Sequence, residues 1–266
     1  MDLDLGEKVA LVTAASKGIG FAVARRLVTE GATVVMSSRP GAALDDATAK
    51  LAVLAEGLPG QVTAVPADLS ADGAGTRLVA DVLGRFGRLD VMVSNTPGPR
   101  IGPVLDFTDE DWDGAYACLL RPAVQLSRAA ARHMTARGTG SIVFLTSTWV
   151  RQPAPGGGLS ASMRSAISAL AKQLALELAP SGVRVNQVMP GATGTDRMRD
   201  IAAAKAQRNG TTVAQEVAEV ISAIPLGRWA DPDEIADAVA FLASPRSAFT
   251  TGHSLSVDGG AVRATV

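Results

Sequence analysis

The feature that most constrains this chain is a rhythm. Short apolar, β-branched runs alternate with stretches of helical period from one end to the other. The runs fall at 9–13, 33–38, 61–66, 91–95, 141–147, 183–189 and 254–257. Strands that are apolar throughout, rather than at every second residue, belong in parallel sheets covered on both faces. The helical stretches fall near 18–30, 41–56, 70–86, 109–136, 159–180 and 231–243. Parallel neighbours need a crossover connection, and a helix is the usual one. The pattern predicts an α/β fold: one doubly wound, seven-stranded, mostly parallel sheet with helices on both faces. No repeat or linker divides residues 1–266, so a single domain is expected.

Two segments break the rhythm. Residues 97–103 hold three prolines and two glycines, which predicts a rigid surface loop. Residues 191–225 form a long insertion between a strand and the last helix. It reads as one or two amphipathic helices with a turn at Asn209-Gly210, and it lies where such folds carry a substrate lid. Pro122, inside the 109–136 stretch, should kink that helix.

The first strand leads through Thr13, Ala14, Ala15, Ser16, Lys17, Gly18, Ile19 and Gly20 into a helix. A turn of small residues at a helix N-terminus presents free N–H groups and a positive dipole end to a phosphate. Gly18 and Gly20 allow close backbone approach. A tight turn without a ligand would look similar, but its place after the first strand of an alternating chain favours a dinucleotide site of Rossmann type. The second strand ends in Ser37, Ser38 and Arg39, where NAD-preferring sites carry an acid for the ribose 2′-hydroxyl. Arg39 and Lys17 suit a 2′-phosphate instead, so the expected cofactor is NADP(H).

A formal net charge of −1 gives no reason to expect nucleic-acid or membrane partners. Residues 1–8 lack a basic segment followed by an apolar run, so no signal peptide is expected there. No apolar stretch is long enough to span a membrane. The one cysteine, Cys118, excludes an internal disulfide framework, and the default expectation is a cytoplasmic location. No metal site is expected.

With these motifs in order, the chain resembles the short-chain dehydrogenase/reductase family over nearly its whole length, and within it most of all the 3-oxoacyl-carrier-protein reductase group. The family's Thr-Gly-x-x-x-Gly-x-Gly is matched by Thr13 to Gly20, with Ala14 in place of the first glycine. Asp68-Leu69 stands where the family contacts adenine, and Asn95-Thr96 falls within the family's Asn-Asn-Ala-Gly segment. Pro190-Gly191, with Thr193 and Thr195, matches the segment that cradles the nicotinamide. Pro225-Leu226-Gly227-Arg228, Phe241-Leu242-Ala243-Ser244 and Val257-Asp258-Gly259-Gly260 match the family's C-terminal third. The resemblance implies a homodimer or homotetramer assembled through the helices near 109–136 and 159–180.

The family's catalytic Asn, Ser, Tyr and Lys align differently. Leu119 takes the Asn position and Ser147 keeps the serine; Ser160 replaces the tyrosine and Arg164 the lysine. The only tyrosine is Tyr116. Ser147, Ser160 and Arg164 can bind an anionic oxygen, and Arg164 can also hold ribose hydroxyls, but none has a pKa suited to proton transfer near neutrality. Losing acid–base help costs about 10²–10⁴ in rate, while positioning and electrostatic stabilisation persist. The expected function is an atypical NADP(H)-dependent oxidoreductase acting on a carbonyl or activated double bond of an apolar small molecule. The alternatives are a non-redox enzyme (cyclase, isomerase or lyase) in the same pocket, or a catalytically silent cofactor-binding subunit. Trp149 is placed at the substrate cleft or against residues 151–158; His133 reads as a solvated surface residue, His253 as a residue that packs or faces solvent, and Asp196 as a helix cap or a pocket acid.

Overall fold

The computed structural model describes residues 2–265. Seven strands form one sheet in the order β3-β2-β1-β4-β5-β6-β7. They are β1 (Val9–Thr13), β2 (Thr33–Ser37), β3 (Gln61–Ala64), β4 (Val91–Ser94), β5 (Gly140–Leu145), β6 (Val183–Pro190) and β7 (Ser254–Val257). Every neighbouring pair is parallel. The helices are α1 (Gly18–Thr29), α2 (Ala42–Ala55), α3 (Ala74–Phe86), α4 (Asp109–Ala115), α5 (Arg121–Arg137), α6 (Gly158–Leu178), α7 (Asp196–Asn209), α8 (Val213–Ser222) and α9 (Pro232–Ala243).

The strands are apolar throughout because both faces are covered. In β1, Ala10 and Val12 join the core under α1, α2 and α9, whereas Val9 and Leu11 join the core under α3, α5 and α6. The order reverses between β1 and β4, so a crevice opens there at the carboxyl ends of the strands, where doubly wound folds bind ligands. Thr13 closes its floor: its hydroxyl donates to the Asn95 carbonyl at 2.7 Å and accepts from the Asn95 amide at 3.0 Å.

Three departures from the sequence pattern have local causes. Strand β5 ends at Leu145 rather than 147, where the backbone carbonyls of Leu145 and Thr146 accept from Arg164. Helix α3 starts at 74 rather than 70, because Gly73 is left-handed (φ 70°) and Asp68 closes a local turn on Ser70. The stretch expected as one kinked helix is α4, then a π-helical turn from Tyr116 to Leu120, then α5 with Pro122 in its first turn. Proline has no N–H and crowds the carbonyl four residues back, and a widened turn accommodates both.

The insertion forms two helices, as its pattern predicts. Left-handed Gly210 closes α7, and Thr212 caps α8 through a capping box with Gln215. Buried Glu216 ties the pair together: it accepts from Asn209 Nδ2 at 3.0 Å and Thr211 Oγ1 at 2.5 Å, and Lys205 Nζ lies 2.9 Å away. The 97–103 loop is tethered, since the Gly102 amide donates to the Gly156 carbonyl at 3.0 Å. Among the described residues no helix is long and apolar enough to cross a membrane.

Candidate active site

The phosphate turn has the shape its residues predict. A Cβ on Gly20 would collide with the Ala14 carbonyl oxygen and lie 2.8 Å from Asn95 Nδ2, so only glycine fits. Gly18 is left-handed (φ 58°), and a Cβ there would meet Thr195 Cγ2 at 3.3 Å. Ala14, the residue that replaces a family glycine, is also left-handed (φ 47°). The Ala15 amide donates to the Ser37 carbonyl at 3.1 Å, tying the turn to the end of β2. Ser16 and Ile19 are half-buried in the same turn.

Lys17 and Arg39 are both exposed, at the carboxyl ends of adjacent strands, and neither forms a salt bridge among the described residues. Ser38 is half-buried, with its hydroxyl donating to the Arg39 carbonyl at 3.2 Å. Asp68 accepts from the Ser70 hydroxyl at 2.6 Å and the Ser70 amide at 3.0 Å; these bonds first, and then the Arg39 charge, hold its carboxyl below the ordinary value. Leu69 is half-buried beside it and packs on the core under α3 and α5.

On the other side of the crevice, the Gly191 amide donates to the Val257 carbonyl at 2.9 Å, at the end of the Pro190–Val257 register. A Cβ on Gly191 would sit 2.8 Å from Asp258 Cα. Thr193 is buried, with Oγ1 donating to the Gly191 carbonyl at 3.1 Å, and Thr195 opens α7 against Gly18. Thr96, only 8% exposed, keeps a buried hydroxyl with no partner among the described residues. So does Ser37, at the end of β2. A glycine cradle that a Cβ would fill, orphaned hydroxyls beneath it and unpaired cations at its adenosine end fit a phosphorylated dinucleotide.

Ser160 and Arg164 lie one turn apart on α6, and both are buried. Arg164 is 7% exposed. Its Nε donates to Ser160 Oγ at 3.2 Å, and Nη1 donates to the carbonyls of Leu145 (2.9 Å) and Thr146 (3.2 Å). Nη2 has no partner among the described residues, and no carboxylate pairs with the guanidinium. Burial first, and then the charge of Arg197, pushes the Arg164 pKa down to about 10. It remains a cation at neutral pH. Ser147, half-buried after β5, accepts from the Trp149 amide at 3.2 Å, which leaves its hydroxyl hydrogen free.

Several single residues resolve. A Cβ on Gly157 would lie 2.5 Å from the Trp149 ring, so Trp149 packs on the 151–158 loop. Tyr116 is 46% exposed beneath the Arg121 guanidinium, 5.8 Å from the ring centre, whereas Leu119 is buried. Asp196 is not the cap of α7, a position held by Thr195; it is exposed, pairs with Arg199 at 3.0 Å and lines a hollow beside Gly18 and Thr195. His133 is not a fully solvated residue: its Nε2 accepts the Leu89 amide at 3.3 Å, and burial lowers its pKa. Arg197, which the sequence did not single out, reaches from α7 to donate through Nη2 to the Pro99 carbonyl at 2.5 Å.

A larger hollow of about 520 Å³ lies at the amino ends of the strands. Of its charged groups, Asp90 is engaged by Arg88 and the Val9 amide and Arg184 by carbonyls of residues 242–244, while Lys8 has no side-chain partner among the described residues. The glycine turn, Ser160 and Arg164 lie at the opposite, carboxyl ends of the strands.

This fold, with its glycine turn at the switch point, defines a Rossmann-type nucleotide-binding protein. A family model described as enoyl-(acyl carrier protein) reductase matches residues 13–262. Dehydrogenase/reductase SDR family member 4 of Oryctolagus cuniculus is 36% identical over 258 residues, covering 97% of this chain and 94% of that protein. The short-chain reductase protein NovJ of Streptomyces niveus is 34% identical, covering 96% of this chain and 94% of NovJ. L-sorbose reductase from Gluconobacter frateurii, solved with NADPH and L-sorbose, superposes with a TM-score of 0.92 at 29% identity, covering 99% of this chain and 100% of that one. A variant of the actinorhodin polyketide ketoreductase, solved with NADPH, superposes at 0.90 with 30% identity, covering 97% and 98%. The chain belongs to the short-chain dehydrogenase/reductase family.

Proposed function

We propose that this protein is an NADP(H)-dependent oxidoreductase that acts on a carbonyl or activated double bond without a tyrosine–lysine pair. The observation that carries the cofactor reading is the pair of unpaired cations, Lys17 and Arg39, at strand ends where an NAD site would carry an acid. Similar structures in complex with NADPH support it. Thr13, Ala15, Ser16, Gly18, Ile19 and Gly20 line the pyrophosphate turn, and Ser38 lies beside Arg39. Asp68 and Leu69 sit at the adenine end; Asn95, Thr96, Pro190, Gly191, Thr193 and Thr195 flank the nicotinamide half. The cofactor, when bound, supplies or accepts hydride.

The chain's own residues bind and polarise. Arg164 fills one acceptor site of Ser160 Oγ, so the Ser160 hydroxyl hydrogen is free to meet a substrate oxygen. Ser147 is free in the same sense. Both hydroxyls, backed by a buried cation, stabilise negative charge that develops on that oxygen. Neither releases a proton near pH 7, so the proton comes from water, from the substrate or from a group not yet assigned. Helices α7 and α8 act as the lid, and the functional unit is a homodimer or homotetramer with no nucleic-acid partner.

Calorimetric titration with NADPH and with NADH tests the reading. Two charge-assisted contacts to a 2′-phosphate predict a preference for NADPH of at least about tenfold. Failure to bind either nucleotide overturns the oxidoreductase reading and leaves a non-redox use of the pocket.

A further inference from the structure

Two arginines, Arg164 and Arg197, stand near the carboxyl ends of the strands with no salt-bridge partner among the described residues, although the Asp200 carboxylate lies near enough to Arg197 to act on its charge. Arg164 stands over the ends of β5 and offers Nη2, and its other bonds go to a hydroxyl and two neutral carbonyls. Arg197 comes from α7 on the opposite side and rests on another neutral carbonyl, that of Pro99. Its guanidinium covers Gly98 so closely that a Cβ there would collide with Nε. Strands β4 and β5 are paired up to Ser94 and Phe144, so the segments carrying Thr96, Gly98 and the Leu145–Thr146 carbonyls leave the sheet side by side. The orphaned Thr96 hydroxyl lies just beyond the end of β4. Arg197 is close enough to add to the depression of the Arg164 pKa. Neither arginine forms a salt bridge among the described residues, whereas neighbouring Arg199 and Arg100 each have a carboxylate partner.

A buried cation such as Arg164 without a carboxylate partner is costly unless an anion joins it, and Arg197 adds a second positive charge beside it. The cofactor's own anionic groups are provided for: the glycine turn faces the pyrophosphate, and Lys17 and Arg39 the 2′-phosphate. We propose that Arg164 and Arg197 form a clamp for a carboxylate on the substrate, which makes the substrate class an oxo acid rather than a wholly apolar ketone. This deepens the functional reading above and rests on it for the reacting carbonyl. Arg197 is the residue that specifies the acid, because Arg164 also serves Ser160. Its place on α7 couples the acid to closure of the 191–225 segment.

The test compares phenylglyoxylate with its methyl ester, titrated by calorimetry onto protein saturated with NADPH and onto protein without it. Charge-assisted hydrogen bonds to the carboxylate predict that the acid binds about tenfold to hundredfold more tightly than the ester. Arg197→Gln, a change at an exposed position, should remove that preference and leave both ester and NADPH affinity unchanged. Arg197→Lys should restore part of it. Equal binding of acid and ester overturns the clamp. So does an Arg197→Gln variant that loses NADPH affinity instead, since Arg197 would then serve the cofactor. If NADPH itself does not bind, the oxidoreductase reading fails while the acid–ester comparison on the bare protein still decides the clamp.

Discussion

Ala14 is the clearest place to test whether the phosphate turn is built as described. Its φ of 47° lies in the left-handed region, which costs an L-residue about 1–2 kcal/mol. Ala14→Gly removes that cost, because glycine occupies the region without a Cβ penalty. The unfolded chain gains freedom in exchange, which offsets about 0.4–1 kcal/mol. The net stabilisation is about 0.5–1 kcal/mol, or a rise in Tm of roughly 1–4 °C for a chain of this size. Ala14→Val should do the opposite, since a β-branched side chain is a true outlier there, and lower Tm by roughly 4–8 °C. Thermal unfolding followed by circular dichroism at one scan rate reads both. The Ala14 carbonyl still has to face Asn95 Nδ2, 3.4 Å away, so the gain should come without loss of nucleotide binding. A glycine variant no more stable than the parent, with a valine variant equally stable, would refute the left-handed turn.

The other expectations concern the site and the α7–α8 insertion. Gly20→Ala places a methyl on the Ala14 carbonyl, and it should weaken NADPH at least about tenfold in a fluorescence titration; unchanged affinity would show that the turn does not face the cofactor. Replacing both Lys17 and Arg39 by alanine should cost NADPH about tenfold to several hundredfold in calorimetric Kd with little effect on NADH; equal losses for both would remove the 2′-phosphate assignment. Glu216 is held down to about 2, by the Thr211 hydroxyl first and Lys205 next. A depressed carboxylate stabilises above its ordinary value of 4.5 and loses that contribution as pH falls toward 2. The protection of α8 amides, relative to their intrinsic exchange rates, should therefore fall below pH 4.5 in the parent and be less pH-dependent in Glu216→Gln; identical protection profiles would exclude Glu216 as the tie between α7 and α8.

The fold was legible because burial on both faces leaves an unmistakable composition in each strand. The two helices of the 191–225 insertion were legible from Asn209-Gly210, since only a residue at ease with φ near 68° closes α7 there. Element ends were less so: β5 stops early because a side chain nineteen residues away, Arg164, takes the carbonyl that would continue it. The phosphate turn could be read from spacing alone, because all its parts lie within one short segment. Arg197 could not. Nothing at 197 marks it, and its meaning comes from Pro99, 98 residues earlier, and from Arg164 on another helix. The His133 contact with Leu89 was hidden for the same reason, 44 residues apart.

The π-helical turn at Tyr116–Leu120 has a consequence for how this helix is compared with its relatives. Closing a hydrogen bond over five residues instead of four absorbs one extra residue without lengthening the helix, which is a slip in phase of about 100°. Before the slip and after it, the same spacing points to different sides. Counting along the chain therefore does not tell which side chain stands where a relative keeps its polar residue. Within that turn Leu119 is buried, whereas Tyr116, the only phenol in the chain, is half-exposed.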